Sequence, residues 1–186
     1  MIIFSFFFLG FTNLVYEILW QKRLILILGT NAYSLMAILS AIMAGIVFGS
    51  FLFGKITSLF PYLKRKIYFF IIFFSALLSF FITLILEPKF FSSLSFPLRF
   101  FFSLLLLLIP ATFLGGSLPV VSSILIDKES AIGKELGKLY GLNTLGGVFG
   151  ILFTGFLAIE FLGIKLTALF TSLILIILSF FLRDKK

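Results

Sequence analysis

Few side chains in this sequence could do chemistry, and most of them cluster near its start. In the segment Gly10-Phe11-Thr12-Asn13-Leu14-Val15-Tyr16-Glu17-Ile18-Leu19-Trp20-Gln21-Lys22-Arg23, one carboxylate, Glu17, stands deep in an apolar run that begins at the N-terminus. A charged group at the centre of a bilayer costs at least about 2–3 kcal/mol, so an intramembrane carboxylate is read first as a functional site. Asn13, Glu17 and Gln21 recur at every fourth residue and share one helical stripe, with Tyr16 and Trp20 alongside. A carboxylate beside aromatic rings suits an organic cation, which the ring faces attract. Arg23 lies six residues beyond Glu17 and points away around the helix. Glu17 therefore needs another partner: a proton, a bound cation, or a group on a neighbouring helix, for which Tyr140 and Asn143 are candidates. The competing reading places Glu17 at the far membrane face, where Tyr16, Trp20, Lys22 and Arg23 would form an interfacial belt.

Other chemistries are excluded by what is missing. The sequence has no Cys and no His, which rules out disulfides, thiolate catalysis, Cys/His zinc sites and histidine proton relays. With one carboxylate expected inside the membrane, the paired acid and base of an enzyme are lacking. No catalytic residue, metal site or cofactor is expected.

The elements that must position these residues are membrane helices. Of 186 residues, 61% are hydrophobic and 12% charged, and mean hydropathy is +1.27. Too few polar side chains remain to cover a soluble fold. Each bilayer span takes about 20 apolar residues. Apolar runs separated by turn and charge signals predict an all-α integral membrane bundle of six spans. These lie near 2–28, 32–58, 66–86, 97–126, 139–160 and 163–182, and form one transmembrane domain over 1–186. The start, which lacks a basic n-region, reads as a retained helix rather than a signal peptide. The 29 Phe read as lipid-facing filler.

The net charge of +8 is spread over span ends, so it points to membrane topology and not to nucleic acid. An even span count puts both termini on one side, with Lys55, Lys64, Arg65, Lys66, Lys128, Lys134, Lys138, Arg183, Lys185 and Lys186. Lys22, Arg23, Lys89, Arg99 and Lys165 fall on the other. The positive-inside rule then predicts cytoplasmic termini in the cell inner membrane.

The second and fifth spans share a pattern. Gly45-Ile46-Val47-Phe48-Gly49 with Gly54 matches Gly146-Gly147-Val148-Phe149-Gly150 with Gly155 at one constant offset. A three-helix unit used twice would produce this, the 3+3 plan of many secondary transporters and of each half of the major facilitator fold; chance likeness of two glycine-rich helices is the alternative. Either way, glycine at every fourth residue lets another helix approach closely. In the fourth span Pro110 and Pro119 bracket Gly115-Gly116-Ser117, which predicts a kinked or partly unwound helix set against protein or water. The loop Asp127 to Lys138 balances its charges and offers an amphipathic turn or a docking site for a soluble partner. Glu160 and Lys165 flank the last turn and read as interfacial.

These segments also resemble a family. Gly10-Phe11, Leu14-Val15-Tyr16-Glu17-Ile18-Leu19-Trp20, Arg23, Leu28-Gly29-Thr30 and Tyr33-Ser34 resemble the opening of the membrane domain of fused spermidine synthase-like proteins. The likeness continues through Ala44-Gly45-Ile46, Gly49-Ser50 and Gly115-Gly116-Ser117-Leu118-Pro119 to Leu139-Tyr140-Gly141-Leu142-Asn143-Thr144-Leu145-Gly146-Gly147 and Gly150. In that family a major-facilitator-like membrane region precedes a soluble aminopropyltransferase-like domain. The 186 residues leave no room for that domain beside the spans and carry no glycine-rich nucleotide loop, so aminopropyl transfer is not expected of them. Glu160 is a further departure. The resemblance implies a transporter-like module for a small organic cation such as a polyamine, paired as a homodimer or with a partner membrane half. On that reading Glu17 is the cation or proton site, and Asn13, Trp20, Tyr140 and Asn143 shape the cavity. The alternative it implies is a non-catalytic anchor that recruits a separate soluble aminopropyltransferase.

Overall fold

In a bilayer no water is present to satisfy the backbone, so an apolar chain of this length resolves into helices that bond internally. The computed structural model describes residues 2–29, 31–125 and 132–183. Among these there is no strand. The helices are α1 (Ile2–Leu28), α2 (Asn31–Leu59), α3 (Lys64–Ile85), a single turn α4 (Pro88–Phe91), α5 (Phe96–Leu125), α6 (Ile132–Phe153) and α7 (Ile159–Arg183). Five helical runs are long and apolar enough to cross a membrane. The last, Gly133–Leu182, is two spans in one run: α6 passes through a π-helical turn, Thr154–Ala158, into α7, which breaks at Gly163. Six spans therefore stand near their expected positions. Met1, Thr30, residues 126–131 and residues 184–186 lie outside the described residues, and with them Lys128, Lys185, Lys186 and the first five residues of the charge-balanced loop, whose remaining residues, 132–138, are not a loop but the start of α6.

Glycine makes two of the breaks. Gly29 and Gly163 have φ of 78° and 72°, a region that side chains with a Cβ rarely enter. The Gly29 amide closes α1 on the Ile25 carbonyl at 2.9 Å. Gly163 reverses the chain with no loop at all, since its ψ of 174° is open in practice only to glycine. Pro61 opens a 3-10 turn, Pro61–Leu63, that brings α3 in two residues earlier than the sequence suggested.

The expected break in α5 is corrected. The helix runs unbroken through Pro110, Gly115, Gly116 and Pro119. Proline at 119 removes the amide that would bond the Gly115 carbonyl. The Ser50 hydroxyl of α2 donates to that carbonyl instead, at 3.1 Å. A side chain from the next helix thus satisfies the freed group, and the helix need not open.

The central helix is α1, which contacts every other long helix. Its Tyr16 and Trp20 side chains are buried and tied to neighbours by hydrogen bonds. Tyr16 donates to the Ala168 carbonyl of α7 at 2.9 Å and also meets the Ser172 hydroxyl. Trp20 Nε1 donates to Thr83 Oγ1 of α3 at 3.0 Å, and Tyr68 of α3 meets Ser5 at 2.9 Å. Lipid supplies no hydrophobic drive between helices, so such bonds and close packing hold the bundle.

The two strongest helix pairings are α2 with α5 and α1 with α6, and they are built alike. A Cβ on Gly49 would lie 2.0 Å from the Thr112 carbonyl oxygen, and one on Gly150 would lie 2.3 Å from the Phe11 oxygen. The offset of 101 residues that carries Gly49 to Gly150 also carries Phe11 to Thr112. It likewise relates Gly115 against Ile46 to Leu14 against Gly147, and carries the break at 60–63 onto the segment holding Gly163. The contacts repeat with the halves exchanged, as two copies of a three-helix unit require.

Candidate functional site

Because α2 packs on α5 and α6 packs on α1, a groove remains between the two pairs. It is a cavity of about 350 Å³ walled by α1, α2, α5 and α6. Its wall follows the repeat: Asn13 and Leu114, Leu14 and Gly115, Ile42 and Asn143, Ile46 and Gly147, and Ser50 and Ile151 are equivalent pairs, and all line it. The cavity therefore sits where the two units meet.

Four of the residues named from sequence are gathered in this wall: Asn13, Trp20, Tyr140 and Asn143. Trp20 is 1% exposed, stacks on Tyr16 with centroids 5.6 Å apart, and lies toward the Arg23 end of α1. Tyr140 is 67% exposed, at the end near Phe6. The Asn143 amide donates to the Phe6 carbonyl at 3.1 Å. This bond fixes its amide against α1 rather than against Glu17.

Glu17 is not part of the wall. It lies between Asn13 and Trp20 on their stripe, turned about 40° from Asn13 at roughly 100° per residue. It is half-buried and has no hydrogen-bond or ion-pair partner among the described residues. The other described acidic residues differ: Glu87 and Glu135 are ion-paired, and Glu160 is exposed. Tyr16 and Trp20, which could have formed an interfacial belt, are buried in the core.

The packing glycines divide. A Cβ on Gly45 or Gly146 would fall 2.4 Å or 2.0 Å from its neighbour, in line with Gly49 and Gly150. Gly54 would meet only the Pro119 Cβ at 3.9 Å, and Gly155 nothing within 4 Å. The close approach thus ends before Gly54 and Gly155; the latter lies in the π-helical turn, where the register of the face is lost. Gly115 and Gly116 belong to this packing and not to a break, with added Cβ atoms 2.5 Å from Ile46 Cα and 2.1 Å from the Phe53 ring.

Sequence reasoning missed the wall hydroxyls of Ser50, Ser117 and Thr144. The predicted spans 66–86 and 97–126 also left Glu87 in the loop between them, with no role assigned. Glu87 is an ion-pair hub, 2.7 Å from Lys165, 3.2 Å from Lys89 and 3.6 Å from Arg23. Hydrogen bonds from Lys165 and then Lys89 hold its carboxyl well below the usual range, at about 2. The hub joins α1, α3, α4 and α7 one turn beyond Trp20. Nearby, Arg99 donates to the carbonyls of Leu94, Ser92 and Ile27 at 2.8, 3.1 and 3.3 Å. At the opposite end, Lys64 holds the Ser123 carbonyl at 2.8 Å. Lys64 and Lys165 are again equivalent positions of the repeat.

No protein-family model, curated protein or solved structure matches the chain.

Proposed function

We propose that this chain is a transporter-like membrane module that takes a small organic cation, such as a polyamine, into the groove between its two three-helix units. The observation that carries the reading is the placement of the groove on the repeat axis. Transporters built from inverted repeats place their substrate there. The wall offers neutral dipoles from Asn13, Asn143, Ser117 and Thr144 together with the Trp20 and Tyr140 rings. It carries no charged side chain, so the charge that a cation requires falls to Glu17, which is unpaired on the same stripe. The exposed wall on α2 and α6 fits closure by a second copy or by a partner membrane half. Clustering of Lys55, Lys64, Arg65, Lys66, Lys134 and Lys138 at one end supports cytoplasmic termini in the cell inner membrane.

Uptake of labelled spermidine into proteoliposomes tests this, with wild type and Glu17→Gln compared. Uptake by wild type that drops at least tenfold in the variant is the expected result. Equal uptake removes Glu17 from the mechanism, and no uptake by wild type overturns the proposal.

A further inference from the structure

The two ends of the groove are built differently. At one end Trp20 is buried, stacked on Tyr16 and bonded to Thr83 of α3. At the other, Tyr140 and Thr144 of the wall are exposed, and the groove is reached from there. The ion-pair hub lies one helical turn beyond Trp20, since Arg23 follows it by three residues on α1. Its members come from both three-helix units: Arg23 from the first, Lys165 from the second, and Glu87 from the segment that joins them. The Lys165 ammonium stands 2.7 Å from the Glu87 carboxylate, and Arg23 stands 3.6 Å from it. The repeat supplies a comparison at the opposite end of the bundle. There Lys64, the equivalent of Lys165, also reaches across to the other unit, but it meets the neutral Ser123 carbonyl at 2.8 Å. The closed end is thus tied by opposite charges and the open end by a neutral acceptor. The hub is also not a finished bridge. Arg23 Nε is buried with no hydrogen-bond partner, whereas buried donors in a settled structure are normally satisfied.

We propose that Glu87 is a releasable latch, which holds the Trp20 end of the groove shut by tying Lys165 of the second unit to Arg23 of the first. Modules built from inverted repeats move largely by rocking one unit against the other around a fixed central site, so that one end opens as the other closes. A latch for that motion must bridge the units, sit at the shut end and part without stranding a charge. The hub meets the first two demands by position. It meets the third because the Lys165 and Lys89 side chains are 61% and 68% exposed, so water takes over from the carboxylate when they separate. The proposal rests on the reading of the groove as a transport path between two moving units, but its test reads the motion without uptake.

Spin labels on cysteine pairs, measured by pulsed electron paramagnetic resonance in liposomes, report on the two ends separately. Lys22→Cys with Leu166→Cys spans the latched end, and Tyr62→Cys with Lys134→Cys spans the other; all four positions are exposed. In Glu87→Gln the first distance should lengthen beyond the wild-type distribution while the second shortens. Glu87→Asp keeps the charge and should hold most of the population at the wild-type distances. Glu135→Gln removes an ion pair outside the hub and should change neither distance. Lys165→Gln tests the same point if Glu87→Gln does not fold. Unchanged distances in the hub variants would overturn the latch. So would equal shifts in Glu135→Gln, or lengthening at the first end with no change at the second, which is what local fraying alone would give. Distances that respond as expected in a protein that takes up no spermidine would keep the latch and overturn the cargo alone.

Discussion

Replacing Gly49 by alanine puts one methyl group into one of the tightest contacts of the bundle. The new Cβ would stand 2.0 Å from the Thr112 oxygen and 2.8 Å from the Gly116 amide, against an ordinary limit near 3.4 Å. The α2 and α5 backbones must then part by about 1.4 Å, because neither obstacle is a side chain that can rotate away. Overpacking of this kind costs about 1–3 kcal/mol, and a backbone obstacle places it in the upper half of that range. The repeat makes a second demand. Gly150→Ala meets the Phe11 oxygen at 2.3 Å and should lose a similar amount, although it lies 101 residues away on a different helix pair. Gly155→Ala meets nothing within 4 Å and should stay within about 0.5 kcal/mol of wild type. Unfolding in mixed micelles by rising dodecyl sulfate, followed by the emission of Trp20, the single tryptophan, reads all three. If Gly49→Ala and Gly150→Ala unfold with Gly155→Ala and wild type, the packing argument is refuted. If only one of them is destabilised, the two-unit reading fails.

Three further outcomes are expected. Ser50→Ala leaves the Gly115 carbonyl without a donor and should lower stability by about 1 kcal/mol; combined with Pro119→Ala, whose restored amide can reach that carbonyl, the loss should fall to less than half, as a double-mutant cycle would show. Glu87→Gln removes the ion-pair hub. Because the Glu87 carboxyl is held at about 2 rather than 4.5, its contribution is present above about pH 5 and disappears as the pH falls toward 2. The gap in unfolding midpoint between wild type and Glu87→Gln should close over that window, and a gap that does not change with pH contradicts the assignment. Trp20→Phe loses the 3.0 Å bond to Thr83, while the Thr83 hydroxyl keeps its bond to the Ser79 carbonyl. A loss of about 1 kcal/mol, measured by circular dichroism, is expected.

The spans were legible because apolar runs bounded by Gly29, Pro61 and Gly163 can only become helices in lipid. The repeat was legible in Gly45 and Gly49 against Gly146 and Gly150, since the same side chain is missing wherever the backbones touch. Two features were not. Proline in α5 suggested a break because the rescuing group, Ser50, lies 69 residues earlier in the chain, and sequence spacing says nothing of what a distant helix offers. Glu87 looked like part of a loop because its partners Arg23 and Lys165 come from opposite ends of the chain and meet only when α1 and α7 pack. In the groove, side-chain type found Asn13, Trp20, Tyr140 and Asn143. The stripe also pointed to Glu17, but spacing along α1 did not show that the wall passes it by.

The absence of cysteine opens the most direct test of the groove as a ligand site. Single cysteines at Ser117 and Thr144, both in the wall, and at Ser40, exposed on α2 but outside it, can be labelled in proteoliposomes with a water-soluble maleimide. The account predicts that Ser117→Cys and Thr144→Cys label readily, that spermidine slows both at least severalfold, and that Ser40→Cys responds to neither condition. Wall positions that do not label, or that label at the same rate with and without spermidine, would contradict it.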